Sequence, residues 1–167
     1  MPDSLALRST VQKSATAEAG LSGFSLDRSA LHLLHRAGQC AEELFTVEFE
    51  KWDLTPRQFA VLVAAYENQG RSQTAIVEKT GIDRSTLADL VRRLVKKGLL
   101  QRRRTKEDAR AYAVRPTDLG RQIVETASGA AAHVDAQLLG DLSATDRDQL
   151  MRLLATVIDH LQARSAP

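Results

Sequence analysis

Eleven lysines and arginines fall between positions 84 and 115: Arg84, Arg92, Arg93, Lys96, Lys97, Arg102, Arg103, Arg104, Lys106, Arg110 and Arg115. Only Asp89, Glu107 and Asp108 oppose them, so this segment carries +8. The chain as a whole has a formal net charge of +2, which leaves −6 on everything else. A basic segment on an acidic body is the electrostatic footprint of a polyanion binder. A charge run alone is equally a solvated surface, so the elements that carry it decide between the two.

Those elements can be read from caps and periodicity. Ser72 caps a short helix, Gln73 to Lys79, and Thr80-Gly81-Ile82 makes a tight turn. Asp83 then caps a helix from Arg84 to about Lys97, with Leu87, Leu90, Val91 and Leu94 on its inner face and Gly98 as its stop. A short helix, a glycine turn and a longer helix with polar first turns is a helix-turn-helix layout. Leu99 to Arg102 extends as a strand, residues 103–109 form a loop, and Arg110 to Arg115 returns. The alternation puts Ala111, Ala113 and Arg115 on one side of that hairpin and Tyr112 and Val114 on the other. A hairpin directly after a reading helix is a wing.

A helix can enter the B-DNA major groove and read base edges. Here the first turns offer Arg84 for guanine, Ser85 and Thr86 as donors to phosphate or base, and the small Ala88. Asp89 either accepts from cytosine or pairs with a wing arginine; both readings stand. Arg92, Arg93, Lys96 and Lys97 are divided between phosphate and solvent. On the wing, Arg103, Arg104 and Lys106 add charge, and Arg110, held by Asp108, is the candidate for the minor groove.

The flanking segments are helical. Leu26, Ala30, Leu33, Leu34, Ala37, Ala41, Leu44 and Phe45 recur at spacings of three and four, while Leu31, Cys40, Val47 and Phe49 lie off that stripe. A helix apolar on several sides packs on several sides, as burial against a second copy provides. Thr55, Pro56 and Gln58 spell a capping box for a helix with Phe59, Leu62, Val63 and Tyr66 inside, ended near Gly70. Thr117 caps a helix to about Leu139; Ser143 and Asp146 cap a last one bearing Leu150, Leu153, Leu154, Val157, Ile158 and Leu161, expected to pack with the first helix. The fold class is mainly α with a small β-hairpin wing: a winged helix-turn-helix lobe plus long N- and C-terminal dimerisation helices. The expected division is a mobile extension at 1–24, an N-terminal dimerisation helix at 25–52, the DNA-binding lobe at 53–116 and C-terminal dimerisation helices at 117–163, within one overall domain of 25–163.

Composition narrows the classes. At 167 residues the chain suits one domain. Cys40 is the sole cysteine, so no intrachain disulfide forms and a reducing cytoplasm is the expected compartment. No apolar run approaches the roughly 20 residues of a membrane span, and the first 25 residues lack a signal-peptide core. No phosphate-binding glycine loop, nucleophile elbow or catalytic carboxylate pair occurs, so an enzyme and a cofactor are not expected.

Three stretches then resemble the MarR family of regulators: Leu54-Thr55-Pro56-Arg57-Gln58-Phe59, the run from Ser85 to Leu99, and Asp108-Ala109-Arg110-Ala111 followed by Val114, Thr117 and Gly120. The resemblance covers about Leu31 to Leu161. It implies a homodimer with one winged helix-turn-helix per subunit, dimerised through the terminal helices, on a palindromic operator in double-stranded DNA. It implies a repressor released by a small molecule. The chain departs from the family pattern at Pro116, where leucine is usual, and at Ala88 and Asp89, where a small hydroxyl and a basic residue are common.

In such proteins an effector lies between the dimer helices and the DNA-reading lobe. The candidate lining is His32, His35, Arg36 and Gln39, with Trp52, Phe59 and Tyr66. Arg36 suits a carboxylate or phosphate, the histidines add donors, and the rings stack on an aromatic group. An aromatic carboxylate or its coenzyme A thioester is the leading candidate; equally, these groups pair across the subunit interface. Peroxide-sensing relatives carry a cysteine near the start of the first helix. Cys40 lies in its second half, before Ala41, and is expected to be buried and inert. His32 and His35 lack the further ligands of a metal site, so none is expected. A thiol- or metal-responsive regulator, or a winged-helix protein-interaction module, are the alternatives.

Overall fold

The computed structural model describes residues 24–68, 73–104 and 112–165. The expected helix stop at Gly70, the cap at Ser72, the wing residues Lys106, Asp108 and Arg110, and the N-terminal extension up to residue 23 lie outside the described residues. The chain divides into two compact units, Met1–Cys40 and Ala41–Pro167.

In the first unit a short 3-10 turn, Leu26–Arg28, precedes α1, Ala30–Phe49, which runs on into the second unit. None of the described residues up to Cys40 is buried, and Leu31, Leu33 and Leu34 are exposed. Cys40 was expected to be buried; it is exposed. Among the described residues of its unit, none is buried against this half-helix.

The second unit holds the core. Phe45 and Phe49 at the end of α1 stack with ring centroids 3.8 Å apart. A 3-10 turn, Glu50–Trp52, follows, and Asp53 turns the chain in a left-handed conformation, φ 50°. The next helix, α2, Pro56–Glu67, starts with the capping box its sequence spells: Thr55 Oγ1 accepts from the Gln58 amide at 3.3 Å, and Gln58 Oε1 accepts from the Thr55 amide at 3.2 Å. After it come α3, Gln73–Thr80, and α4, Arg84–Lys96. Gly81 and Gly98 both take positive φ, 67° and 72°. At Gly98 the bonds from the Leu99 amide to the Leu94 carbonyl and from the Gly98 amide to the Val95 carbonyl form a Schellman motif. That motif ends α4 and turns the chain straight into β1, Leu100–Arg104.

β1 pairs antiparallel with β2, Tyr112–Pro116, in a register that sets Leu100 opposite Pro116 and Arg104 opposite Tyr112. Alternation was expected to separate Ala113 from Val114. Both are buried, because the return strand packs against α2, α3 and the following helix, Asp118–Leu138. α5, Asp118–Leu138, is capped by Thr117 and docked hard on the hairpin base. Thr117 donates its hydroxyl to the Gly98 carbonyl at 2.6 Å and its amide to the Leu99 carbonyl at 3.0 Å. Gly120 sits so close that a Cβ there would overlap the Leu99 carbonyl oxygen.

Leu62, Ile76, Leu87, Val91, Leu94, Leu100 and Val114 form the buried centre, joined by Phe45, Phe49, Val124 and Ala127. α6, Ala144–Ser165, was expected to pack its apolar stripe. Within its unit it does not: Met151, Leu153, Val157 and Ile158 are between 45% and 59% exposed. Only Leu150 and Leu154 of that stripe are half-buried, so the described residues of its unit leave most of the stripe exposed. No helix among the described residues is long and apolar enough to cross a membrane.

Candidate nucleic-acid interface

α4 is divided lengthwise by its own periodicity. Leu87, Val91 and Leu94 point into the core, while Arg84, Ser85, Ala88, Arg92 and Lys96 are exposed. The helix is thus fixed along one side by packing and presents polar and basic groups along the other.

Its first turn is built on Asp83. One carboxylate oxygen accepts from the Ser85 hydroxyl at 2.5 Å and from the Thr86 amide at 2.9 Å. The Ser85 side chain foremost, then the Thr86 side chain and amide, hold the Asp83 carboxyl well below the ordinary carboxylate range. Ser85 was expected to donate to phosphate or base. In the free protein its hydroxyl hydrogen goes to Asp83, and its oxygen is left as an acceptor. Thr86 is half-buried beside it. Arg84 makes no hydrogen bond or ion pair among the described residues.

Asp89 was expected to read cytosine or to pair with a wing arginine. It pairs within its own helix: Arg93 Nε donates to Oδ2 at 2.7 Å and Arg92 donates to Oδ1. Spacings of three and four residues put these groups on one face, one turn apart. Both guanidiniums stay largely exposed, so each retains donors for a second anion. Lys97 neither reaches outward nor merely solvates the helix; its ammonium bonds the carbonyl and carboxylate of Asp53. Arg102 is exposed on β1, and Arg103 and Arg104 continue that strand.

The proposed effector residues fall in separate surroundings. In the first unit, Gln39 Nε2 lies 3.3 Å from His35 Nε2 one turn away. The His32 amide donates to Ser29 Oγ at 3.3 Å, and Arg36 is exposed with no partner among the described residues. In the second unit, Trp52 and Phe59 meet through Phe49, with ring centroids 5.1 and 4.7 Å from it. The Lys51 ammonium covers the Trp52 ring at 4.0 Å. Tyr66 stands apart, donating to Glu125 Oε1 at 3.2 Å and lining a recess of about 240 Å³ with Arg115, Pro116 and Arg121. Reading the sequence missed the Phe45–Phe49 stack, although an i, i+4 pair of phenylalanines was its signal, and missed the two arginines beside Tyr66. It also missed a recess of about 480 Å³ where Arg57 of α2 meets Gly81, Asp83 and Thr86 at the start of α4. Among the described residues no group of three or more His, Cys, Asp or Glu gathers as a metal site.

A family model described as the MarR family matches residues 52–111. The crystal structure of the PcaV transcriptional regulator from Streptomyces coelicolor, in complex with its natural ligand, is similar with a TM-score of 0.77 and 30% identity, over 82% of this chain and 96% of that one. Bordetella bronchiseptica BpsR, whose structure concerns regulation of DNA binding by 6-hydroxynicotinic acid, also aligns with a TM-score of 0.77, at 29% identity over 81% of this chain and 97% of that one. Transcriptional regulator HosA from Escherichia coli is 29% identical over 132 residues, 76% of this chain and 98% of its own length.

Proposed function

This chain belongs to the MarR family of transcriptional regulators, and from that premise we propose that it works as a homodimeric repressor of a palindromic operator, released by a small aromatic acid or its coenzyme A thioester. The observation that carries DNA reading is the lengthwise division of α4, whose exposed side holds Arg84, Ser85 and Ala88, followed directly by a hairpin rich in arginine. We assign DNA binding to residues 53–116, with Arg84 at base edges and Arg92, Arg93, Arg103, Arg104, Lys106 and Arg110 on phosphates or in the minor groove.

The exposed apolar stripe of α6 supports a second copy of the chain, as do the exposed leucines of α1. A two-fold operator needs the two reading helices about one turn, roughly 34 Å, apart. An effector releases the protein only if it binds a differently spaced state more tightly. The likeness to BpsR, regulated by 6-hydroxynicotinic acid, supports an aromatic acid as effector, and His32, His35, Arg36 and Gln39 are the groups we assign to its carboxylate.

The test is fluorescence anisotropy on the DNA upstream of the chain's own gene, against random duplex, between 50 and 200 mM salt, with aromatic acids and their thioesters added in turn. We expect tight binding that weakens steeply with salt and is abolished by one compound. Arg84→Ala should relax preference at particular base pairs by about 1–3 kcal/mol. Binding no tighter than to random duplex removes autoregulation. Salt-insensitive binding points instead to a winged-helix protein-interaction module.

A further inference from the structure

We infer that Arg57, outside the helix-turn-helix reading face and the wing, grips a phosphate of the DNA backbone at the N-terminal end of α4. The inference rests on the DNA-binding reading above and adds a contact on a different helix. Arg57 is exposed on the first turn of α2, directly after Pro56. It lines the recess of about 480 Å³ whose far wall is Gly81, Asp83 and Thr86. That wall is the turn and first helical turn that present Arg84 and Ser85, so the recess opens beside the base-reading end of α4.

Two observations make Arg57 available for an outside anion. Among the described residues its side chain has no hydrogen bond or ion pair. The obvious internal partner, Asp83, shares the recess but forms no ion pair with Arg57, and its Oδ1 is engaged by Ser85 and Thr86. A guanidinium that no protein acceptor engages is a free fork of donors, and phosphate oxygens match that fork two at a time. Gly81, at φ 67°, keeps the wall bare; a Cβ there would have nothing nearer than the Gln162 side-chain nitrogen at 3.8 Å.

The topology states what this contact does. The wing leaves α4 at its C-terminal end, through Gly98 and Leu99. Arg57 stands at the opposite end. Phosphate grips at both ends set the tilt of the helix between them, while carrying no sequence information themselves.

The experiment uses the full chain on its operator and on a random duplex of equal length, by anisotropy from 50 to 200 mM salt, with wild type, Arg57→Ala and Arg57→Lys. Circular dichroism melts of each variant establish that all are folded. Each phosphate contact contributes about 0.9 to the slope of log affinity against log salt, so Arg57→Ala in a two-lobed complex should flatten the slope by about 1.8. It should weaken both duplexes by a similar factor, roughly tenfold or more near 0.1 M salt, and Arg57→Lys should recover most of the slope. A folded Arg57→Ala protein with wild-type slope on both duplexes overturns the inference and leaves the DNA-binding reading intact. So does a loss confined to the operator, which would make Arg57 a base reader, or unchanged DNA binding with lost effector response, which would make it part of an effector site. A wild-type protein that binds neither duplex overturns both readings together.

Discussion

The ammonium of Lys97, just past the C-terminal end of α4, lies 2.8 Å from the carboxylate of Asp53, in the turn between α1 and α2. The same ammonium bonds the Asp53 main-chain carbonyl. Lys97 is 31% exposed and Asp53 93%, so water screens one side of the pair. Its role is geometric: it ties the end of α4 to a residue held in a left-handed turn.

Because the pair is screened, Lys97→Met should lower stability by less than about 1 kcal/mol. Asp53→Val should cost more, about 1–2 kcal/mol from the left-handed backbone alone, while Asp53→Gly should recover that part because glycine accepts the conformation freely. Urea midpoints give the order. An Asp53→Val protein that unfolds at the wild-type midpoint would falsify this account of the turn.

Asp89 neutralises parts of two guanidiniums that could otherwise meet phosphates. Asp89→Ala should therefore raise affinity for random duplex about two- to fivefold, the range set by an exposed ion pair, and steepen the salt dependence. Anisotropy on random and operator DNA separates this from base reading. If the variant loses preference at one base pair instead, Asp89 contacts that base and its helix pairing yields on binding.

Gly120 and Thr117 join α5 to the start of the hairpin. Gly120→Ala forces the helix off the Leu99 carbonyl and should cost about 1–3 kcal/mol or more. Thr117→Ala loses the cap to the Gly120 amide, 3.0 Å long, and the bond to the Gly98 carbonyl, for about 1 kcal/mol or more. Thr117→Ser should be close to wild type. Thermal melts rank the three; an undisturbed Gly120→Ala melt is inconsistent with the tight approach.

Asp83 links the first turn of α4 to pH. Its carboxyl is held well below its ordinary value of 3.8, so the unfolded chain takes up the proton first as pH falls. The stabilisation is complete above that ordinary value and is lost as pH descends from it toward the depressed folded value. Asp83→Ala should remove this acid-side dependence, melt below wild type near neutral pH, and fray the first turn of α4. Amide exchange at Thr86 across an acid series reads it directly, and equal exchange in the two proteins would show that the cap does not hold that turn.

Much of this molecule is written in short-range pattern. The caps at Thr55, Asp83 and Thr117 and the stop at Gly98 act within four residues, so their spacing determined where α2, α4 and α5 begin and where α4 ends. The 3.6-residue period determined that Leu87, Val91 and Leu94 face inward and that Arg84 and Ala88 do not. Even the pairing of Asp89 with Arg92 and Arg93 was present as spacing, although only cytosine or a wing arginine was expected as its partner. Tertiary structure decided what depends on distant segments meeting. It set Lys97 on Asp53, Arg57 beside Asp83, and the Leu99 carbonyl against Gly120. It also left Cys40 and the apolar stripe of α6 uncovered. Apolar periodicity says that a face must be covered, but not by what; the covering surface belongs to whichever element, or second copy of the chain, the fold brings against it.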